Sequence, residues 1–288
     1  MNMAKRKRRK GRIGEIWHRL KKNKFAVAGL VVIILILLIT IFAPLLAPYS
    51  YDTQDLANAY AKPCREHLLG TDKFGRDTLS RLIWGSRNSM AMGLGCVALS
   101  NLFGLTIGSI AGYFGGLVDN VIMRIMDILS CIPMLLMCVV IAAILGPSVR
   151  NAIIAIAVST MPGSARMIRA NILKIREKEF VEAARAIDAK PVHIILKYLI
   201  PNAISPSIVA ITMSIGNSII SGATLSFIGL GAQPPLAEWG AMLSEGRNMM
   251  RDHMELVMYP GIVIMIVVLA FNVLGDGLRD ALDPRLKN

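Results

Sequence analysis

Asp72 and Asp77 stand among Lys73, Arg76, Arg81 and Arg87, and two carboxylates this close could act as general acid and base. Such chemistry needs a pocket with a substrate held between the acids, and nothing around them argues for one. The alternation of charge with Leu79, Leu82, Ile83 and Trp84 instead predicts an amphipathic helix lying at a membrane interface over 67–87, serving as a gate or docking surface. Histidines 18, 67, 193 and 253 have no metal-ligand spacing. Cys96, Cys131 and Cys138 fall in apolar stretches and Cys64 has no partner near it, so no disulfide is expected. No Gly-x-x-x-x-Gly-Lys-Ser/Thr run occurs, so the chain cannot itself cradle a nucleotide in a P-loop.

The elements around these residues belong in lipid. With 54% hydrophobic residues and a mean hydropathy of +0.55, the 288-residue chain is too apolar for an ordinary soluble domain. Charge-free windows at 25–43, 88–118, 128–149, 151–165, 198–237 and 256–275 predict six spans, the fourth starting near Asn151 and running on past Arg166 and Arg169. Six spans put 23 of the 32 Lys and Arg residues on the side of both termini, which makes that side cytoplasmic. The basic run Lys5 to Lys10 is then a topology signal facing anionic headgroups. The first apolar run is too long for a cleaved leader, and Pro48 follows its best small-residue site, so it is expected to stay as an anchor.

One polar segment, 171–202, interrupts this apolar background. Helix formers run without a breaker through Glu182-Ala183-Ala184, with Ile168, Ile172 and Ile175 on one side. Asp188-Ala189-Lys190-Pro191 makes a corner, since Pro191 suits the first turn of a new helix. Val192, Ile195, Leu196 and Leu199 then form an apolar stripe, and Pro201 is expected to end the short helix. This helix–corner–helix resembles the EAA loop of ABC-importer permeases, with Asp188 where that pattern has Gly and Tyr198 where it has Ile. Asp tolerates the left-handed backbone that the Gly supplies, so the corner should form. His67 to Asp77, Phe227 to Pro235 with Trp239-Gly240, and Phe271 to Asp280 are similar to the second permease subunit of dipeptide, oligopeptide and nickel importers.

The resemblance implies an all-α type I permease fold, divided into a tail, anchor and outer linker (1–66) and a transport domain (67–288). It implies no enzyme activity and no cofactor in this chain, with ATP and Mg held by two partner ATPases. A homologous second permease, an external solute-binding protein and membrane lipid complete its partners, in a prokaryotic cell membrane. Glu182, Ala183, Ala184, Asp188, Val192 and Ile195 become the ATPase-coupling residues. Peptides are the expected cargo; nickel or another small solute, and more remotely an ion-gradient-driven transporter, are the alternatives.

Further expectations concern the spans. Gly104, Gly108, Gly112 and Gly116 lie four apart and permit close helix packing, within this chain or against another. Pro133 and Met161-Pro162-Gly163 should bend or interrupt helices. Among Asp119, Arg124 and Asp127, the last is expected to be partly buried. Asn217 with Ser214, Ser218 and Ser221 supplies polar groups in the fifth span, suited to a neutral path or to interhelical hydrogen bonds. The stretch from Gly229 to Tyr259 should return outside as a solvated loop with an interfacial Trp239, or meet a binding protein.

Overall fold

The structure, a computed structural model, describes residues 12–282. The basic run Lys5 to Lys10 and the last six residues lie outside them. Twelve α-helices follow in order among the described residues: α1 (Arg12–Leu20), α2 (Lys24–Ile41), α3 (Ala43–Leu46), α4 (Thr78–Phe114), α5 (Gly116–Cys131), α6 (Met134–Leu145), α7 (Val149–Ile175), α8 (Glu179–Ala186), α9 (Pro191–Ile194), α10 (Ile200–Phe227), α11 (Trp239–Gly246) and α12 (Glu255–Leu282). No strand forms among the described residues.

Among the described residues, four segments are long and apolar enough to cross a bilayer: α2, α4, the continuous Pro191–Phe227 stretch and α12. The pair α5 and α6 makes a fifth if taken together, but it bends by 90°. Pro133 sits at that bend, where it has no amide hydrogen to offer and holds Ile132 extended. α7 begins within two residues of the expected Asn151 and runs past Arg166 and Arg169, yet it is less apolar than the four spans. Ser159, Thr160, Ser164, Arg166 and Arg169 dilute its apolar face. Pro162 is buried inside α7 without interrupting it.

α4 and α7 lie against each other along their length, and α10 crosses both. The seam is made by glycine. A Cβ on Gly104 would collide with the Ser164 hydroxyl, one on Gly108 would lie 2.5 Å from the Ala165 carbonyl, and one on Gly112 2.8 Å from Ile172 Cγ2. Close packing within this chain is therefore the role of these three residues. Gly116 does not share it: it opens α5 at φ +54, with nothing within 4 Å of an added methyl. The first anchor joins the bundle, with α2 packed on α12 through small residues. A Cβ on Gly29 would meet the Ala270 carbonyl at 2.8 Å, and one on Gly277 would collide with Ala26 Cβ.

The bundle has two ends. One carries α8 and α9 with the C-terminal ends of α4, α7 and α12; the other carries the 47–77 segment, α11 and the N-terminal end of α4. α12 runs past Gly275, where the sixth span was expected to stop, to Leu282.

Candidate functional site

The corner forms on the residues expected, with a different local build. α7 stops at Ile175, and a turn at Arg176–Lys178 separates it from α8. The sequence has no breaker there and predicts one continuous helix. The break lets α8 fold back and bury Val181 and Ala184 with Ile168, Ile172, Ile194 and Leu199 in one apolar cluster. Arg176 fixes the turn by donating from Nη1 to the Gly112 carbonyl at 3.0 Å. Glu182 and Ala183 point outward and are exposed.

At the end of α8, Asp188 takes φ +55. Its amide donates to the Arg185 carbonyl at 2.9 Å, and the Ala189 amide reaches the Ala184 carbonyl at 3.1 Å. These two bonds are those of a Schellman cap, with Asp in the left-handed place that glycine usually fills. Left-handed backbone costs an ordinary L-residue about 1–2 kcal/mol, and Asp less. Asp188→Gly is therefore expected to keep the corner and raise thermal stability slightly, by up to about 1 kcal/mol; a drop in melting temperature would show that the carboxylate does something more than accept the conformation.

Beyond the corner the predicted apolar stripe is rotated. Ile194 and Leu199 are fully buried, whereas Val192 and Leu196 are 65% and 61% exposed. The cause is a π turn over Ile195–Leu199, which spaces the inward residues five apart instead of four. Ile195 and Tyr198 are half-buried, and the Tyr198 ring packs between Phe180 and His193. Pro201 does not end the helix. It sits in the first turn of α10, which runs on to Phe227. The corner thus presents Glu182, Ala183, Ile187, Val192 and Leu196 to the outside, held between α7 and α10.

Nearby, Asp119 is buried and pairs with Arg169 through both carboxylate oxygens. Asp127, expected to be the buried one, is exposed and meets Arg166 at 3.2 Å. Both acids meet an arginine of α7, but Asp119 near the start of α5 is packed against that helix, whereas the Asp127–Arg166 pair two turns on lies at the surface.

At the opposite end, the helix expected over 67–87 does not form as such. Residues 67–77 make an irregular loop, and α4 begins at Thr78 with Asp77 as its cap, accepting from the Ser80 amide at 2.7 Å. Asp72, Arg76, Asp77 and Arg81 point inward, while Lys73 and Arg87 stay exposed. Asp72 Oδ2 accepts from Arg76 Nε at 2.7 Å and Arg81 Nη1 at 2.9 Å, while Oδ1 accepts from the amides of Phe74 and Arg76. Arg76 Nη2 also donates to Glu245 of α11 at 2.7 Å, and Arg81 Nη2 lies 3.2 Å from the same oxygen. Burial pushes the Glu245 carboxyl up from its ordinary range, against the pull of Arg76. Both carboxylates of the 67–77 loop are thus occupied by caps and ion pairs, which leaves neither free for acid–base work.

α11 shows the same inward turn. Trp239 is 1% exposed and donates from Nε1 to the Leu82 carbonyl at 3.0 Å, so it is no interfacial anchor. Glu238 is also buried, accepting from Ser89 Oγ and the Ala241 amide, each at 2.8 Å.

Comparison with known proteins agrees with this architecture. The family of binding-protein-dependent transport system inner membrane components matches residues 104–288, and the N-terminal transmembrane domain of oligopeptide transport permease C matches 11–63. The chain is 46% identical to the dipeptide transport system permease protein DppC of Alkalihalophilus pseudofirmus, over 95% of this chain and 90% of that protein. It is 43% identical to DppC of Haemophilus influenzae, over 95% of each. A glutathione transport system permease protein, GsiD of Escherichia coli, is 42% identical over 95% of this chain and 90% of its own length. Among solved structures, the MetNI methionine ABC transporter in an inward-facing conformation superposes with a TM-score of 0.57 at 21% identity, covering 70% of this chain and 97% of the other. That likeness shows the fold. The chain therefore belongs to the binding-protein-dependent transport family, as a multi-pass membrane permease subunit of an ABC importer.

Proposed function

We propose that this chain is half of the membrane path of a peptide importer, and that its corner couples the path to ATP hydrolysis. The observation that carries the coupling is the corner itself: an exposed, rigidly capped knob joining two long helices. The bias of Lys and Arg puts this knob in the cytoplasm together with both termini. Two partner ATPases there hold ATP and Mg, and a cleft on each accepts a permease corner. On this chain Glu182 pairs with a basic residue of the cleft, Ala183 permits close approach, and Asp188 aims the exposed Val192 into it. Ala184 and Ile195 act from behind, as packing. Because α7 enters the corner and α10 leaves it, a push on the knob tilts both helices at once and switches access across the membrane.

A homologous second permease completes the path, and an external binding protein delivers cargo to the end carrying α11. The peptide class is favoured by the relatives, whose names specify dipeptide and glutathione transport. In this reading 1–66 is the accessory tail, anchor and linker, and 67–288 is the transport domain.

The test is purification of the tagged chain from its native membrane, wild type against Glu182→Arg. ATPases should accompany the wild type, and the reconstituted complex should take up dipeptide. The variant should lose the ATPases, or retain them with uptake reduced at least about tenfold, the effect of about 1.4 kcal/mol. Full dipeptide uptake by Glu182→Arg would remove Glu182 from the coupling site.

A further inference from the structure

Between α4, α7 and α10, with Met134 of α6 at its edge, lies an open cleft of about 300 Å³. That is the lower end of the size range of small-molecule sites. Its polar side chains, Ser100, Asn101, Thr160, Ser164, Ser214, Asn217 and the buried Ser218, are all uncharged. Most of them are already satisfied. Thr160 donates to Ser100 at 3.0 Å, Ser164 to Asn101 Oδ1 at 3.0 Å, Asn101 Nδ2 to the Val97 carbonyl at 2.8 Å, and Ser214 to the Ile211 carbonyl at 2.7 Å.

Asn217 differs. It is exposed, midway along α10, and its carboxamide has no hydrogen-bond partner among the described residues. A hydroxyl in a span can bond back to its own helix, as Ser221 does to the Asn217 carbonyl at 2.9 Å. A carboxamide has two donors and an acceptor oxygen, more than its own helix can satisfy. Left against lipid, such a group is costly, so this face of α10 meets water or a polar ligand.

We propose that this cleft is the peptide-contacting wall of the path, and that Asn217 hydrogen-bonds the backbone amides of the passing peptide; the proposal rests on the peptide-import reading. A carboxamide offers to an amide one donor and one acceptor in the same plane, and the amide is the group every peptide shares. No Lys, Arg, Asp or Glu lines the cleft, so nothing in it fixes a terminal charge or selects a charged side chain. Met134 and Met167 add thioethers that adapt to varied side chains. The wall therefore accepts peptides irrespective of sequence and leaves selection to the binding protein.

The experiment uses the complete importer in proteoliposomes, with the exposed Cys64 and Cys131 replaced by Ser. Trialanine uptake is measured for wild type, Asn217→Leu and Thr212→Val; the Thr212 hydroxyl bonds to the Ile208 carbonyl and lies off the cleft. Asn217→Leu should raise the KM about threefold to tenfold, the effect of one lost neutral hydrogen bond, and Thr212→Val should not. In parallel, Asn217→Cys should react with a membrane-impermeant charged maleimide, and saturating trialanine with binding protein should slow that reaction severalfold. Failure of the Asn217→Cys thiol to react in the assembled complex overturns the proposal, because this face of α10 would then be packed against the second permease. Reactivity without peptide protection, together with an unchanged KM in Asn217→Leu, also overturns it. If the wild-type complex takes up no trialanine, the peptide reading itself fails, while the maleimide reaction still reports whether the cleft is an aqueous path.

Discussion

Asp72→Ala is expected to cost about 3–5 kcal/mol of stability, enough to abolish recovery of folded protein at a temperature the wild type tolerates. Asp72 receives four hydrogen bonds, two from amides of its own loop and two from guanidinium groups that are almost wholly buried. Removing it leaves Arg76 and Arg81 facing each other, with Glu245 alone to balance two cations. The loss is one of uncompensated charge more than of attraction, since well-packed apolar replacements of buried ion pairs are often neutral. The double variant Asp72→Leu with Arg81→Met keeps the Arg76–Glu245 pair and restores neutrality. It should recover most of the loss in a thermal-unfolding series in detergent. Equal damage from the single and double variants would locate the effect in the loop amides, and an undamaged Asp72→Ala would mean that water reaches the cluster and screens it.

That cluster also marks where the sequence stops being legible. Asp72, Arg76 and Arg81 read locally as part of the charged face of an interfacial helix, because the residue that holds the two arginines inward, Glu245, lies 169 positions after Arg76. Local periodicity reports which residues share a face and not what that face meets. Trp239 misleads for the same reason: an indole near an expected membrane boundary looks like an anchor until the Leu82 carbonyl is placed beside it. The π turn at Ile195–Leu199 escapes because its signal is a spacing of five, which a search for 3.6-residue periodicity does not weigh.

What can be read depends on residues with narrow backbone or packing needs. Asp188 at the corner, Pro191 opening α9 and Pro133 at the 90° bend each restrict the chain in one way whatever surrounds them. The apolar windows mark the long helices, because lipid imposes one rule on every spanning backbone. Asn217 sits between these classes: its type and place are visible in the sequence, but only the fold shows that no described neighbour satisfies it.

The glycine seam yields the second large effect. Gly108→Leu is expected to prevent α4 and α7 from docking, so that little monodisperse protein survives extraction. The contact at Gly108 is to backbone: an added Cβ would lie 2.5 Å from the Ala165 carbonyl and 3.0 Å from the Arg169 amide, and neither can swing aside as a side-chain end could. The helices would have to part along a seam where Gly104 and Gly112 also fix the distance, losing dispersion contacts on both sides. In lipid no hydrophobic term draws them back together, so the penalty exceeds the roughly 1–3 kcal/mol of overpacking in a soluble core. Gly163→Ala is the control on α7. Nothing lies within 4 Å of its added methyl, and Ala favours helix over Gly by about 1 kcal/mol, so that variant should be as stable as wild type or more so. Thermal aggregation of the purified variants would separate the cases: wild-type behaviour from Gly108→Leu would show that α4 and α7 do not approach as closely as the seam requires. Because Arg176 at the end of α7 is tied to the Gly112 carbonyl at 3.0 Å, the same seam holds the corner at a fixed height on α4. A milder wedge, Gly112→Ala, should therefore preserve folding better than Gly108→Leu while loosening uptake from ATP hydrolysis, the outcome expected if the corner drives the helices as one body.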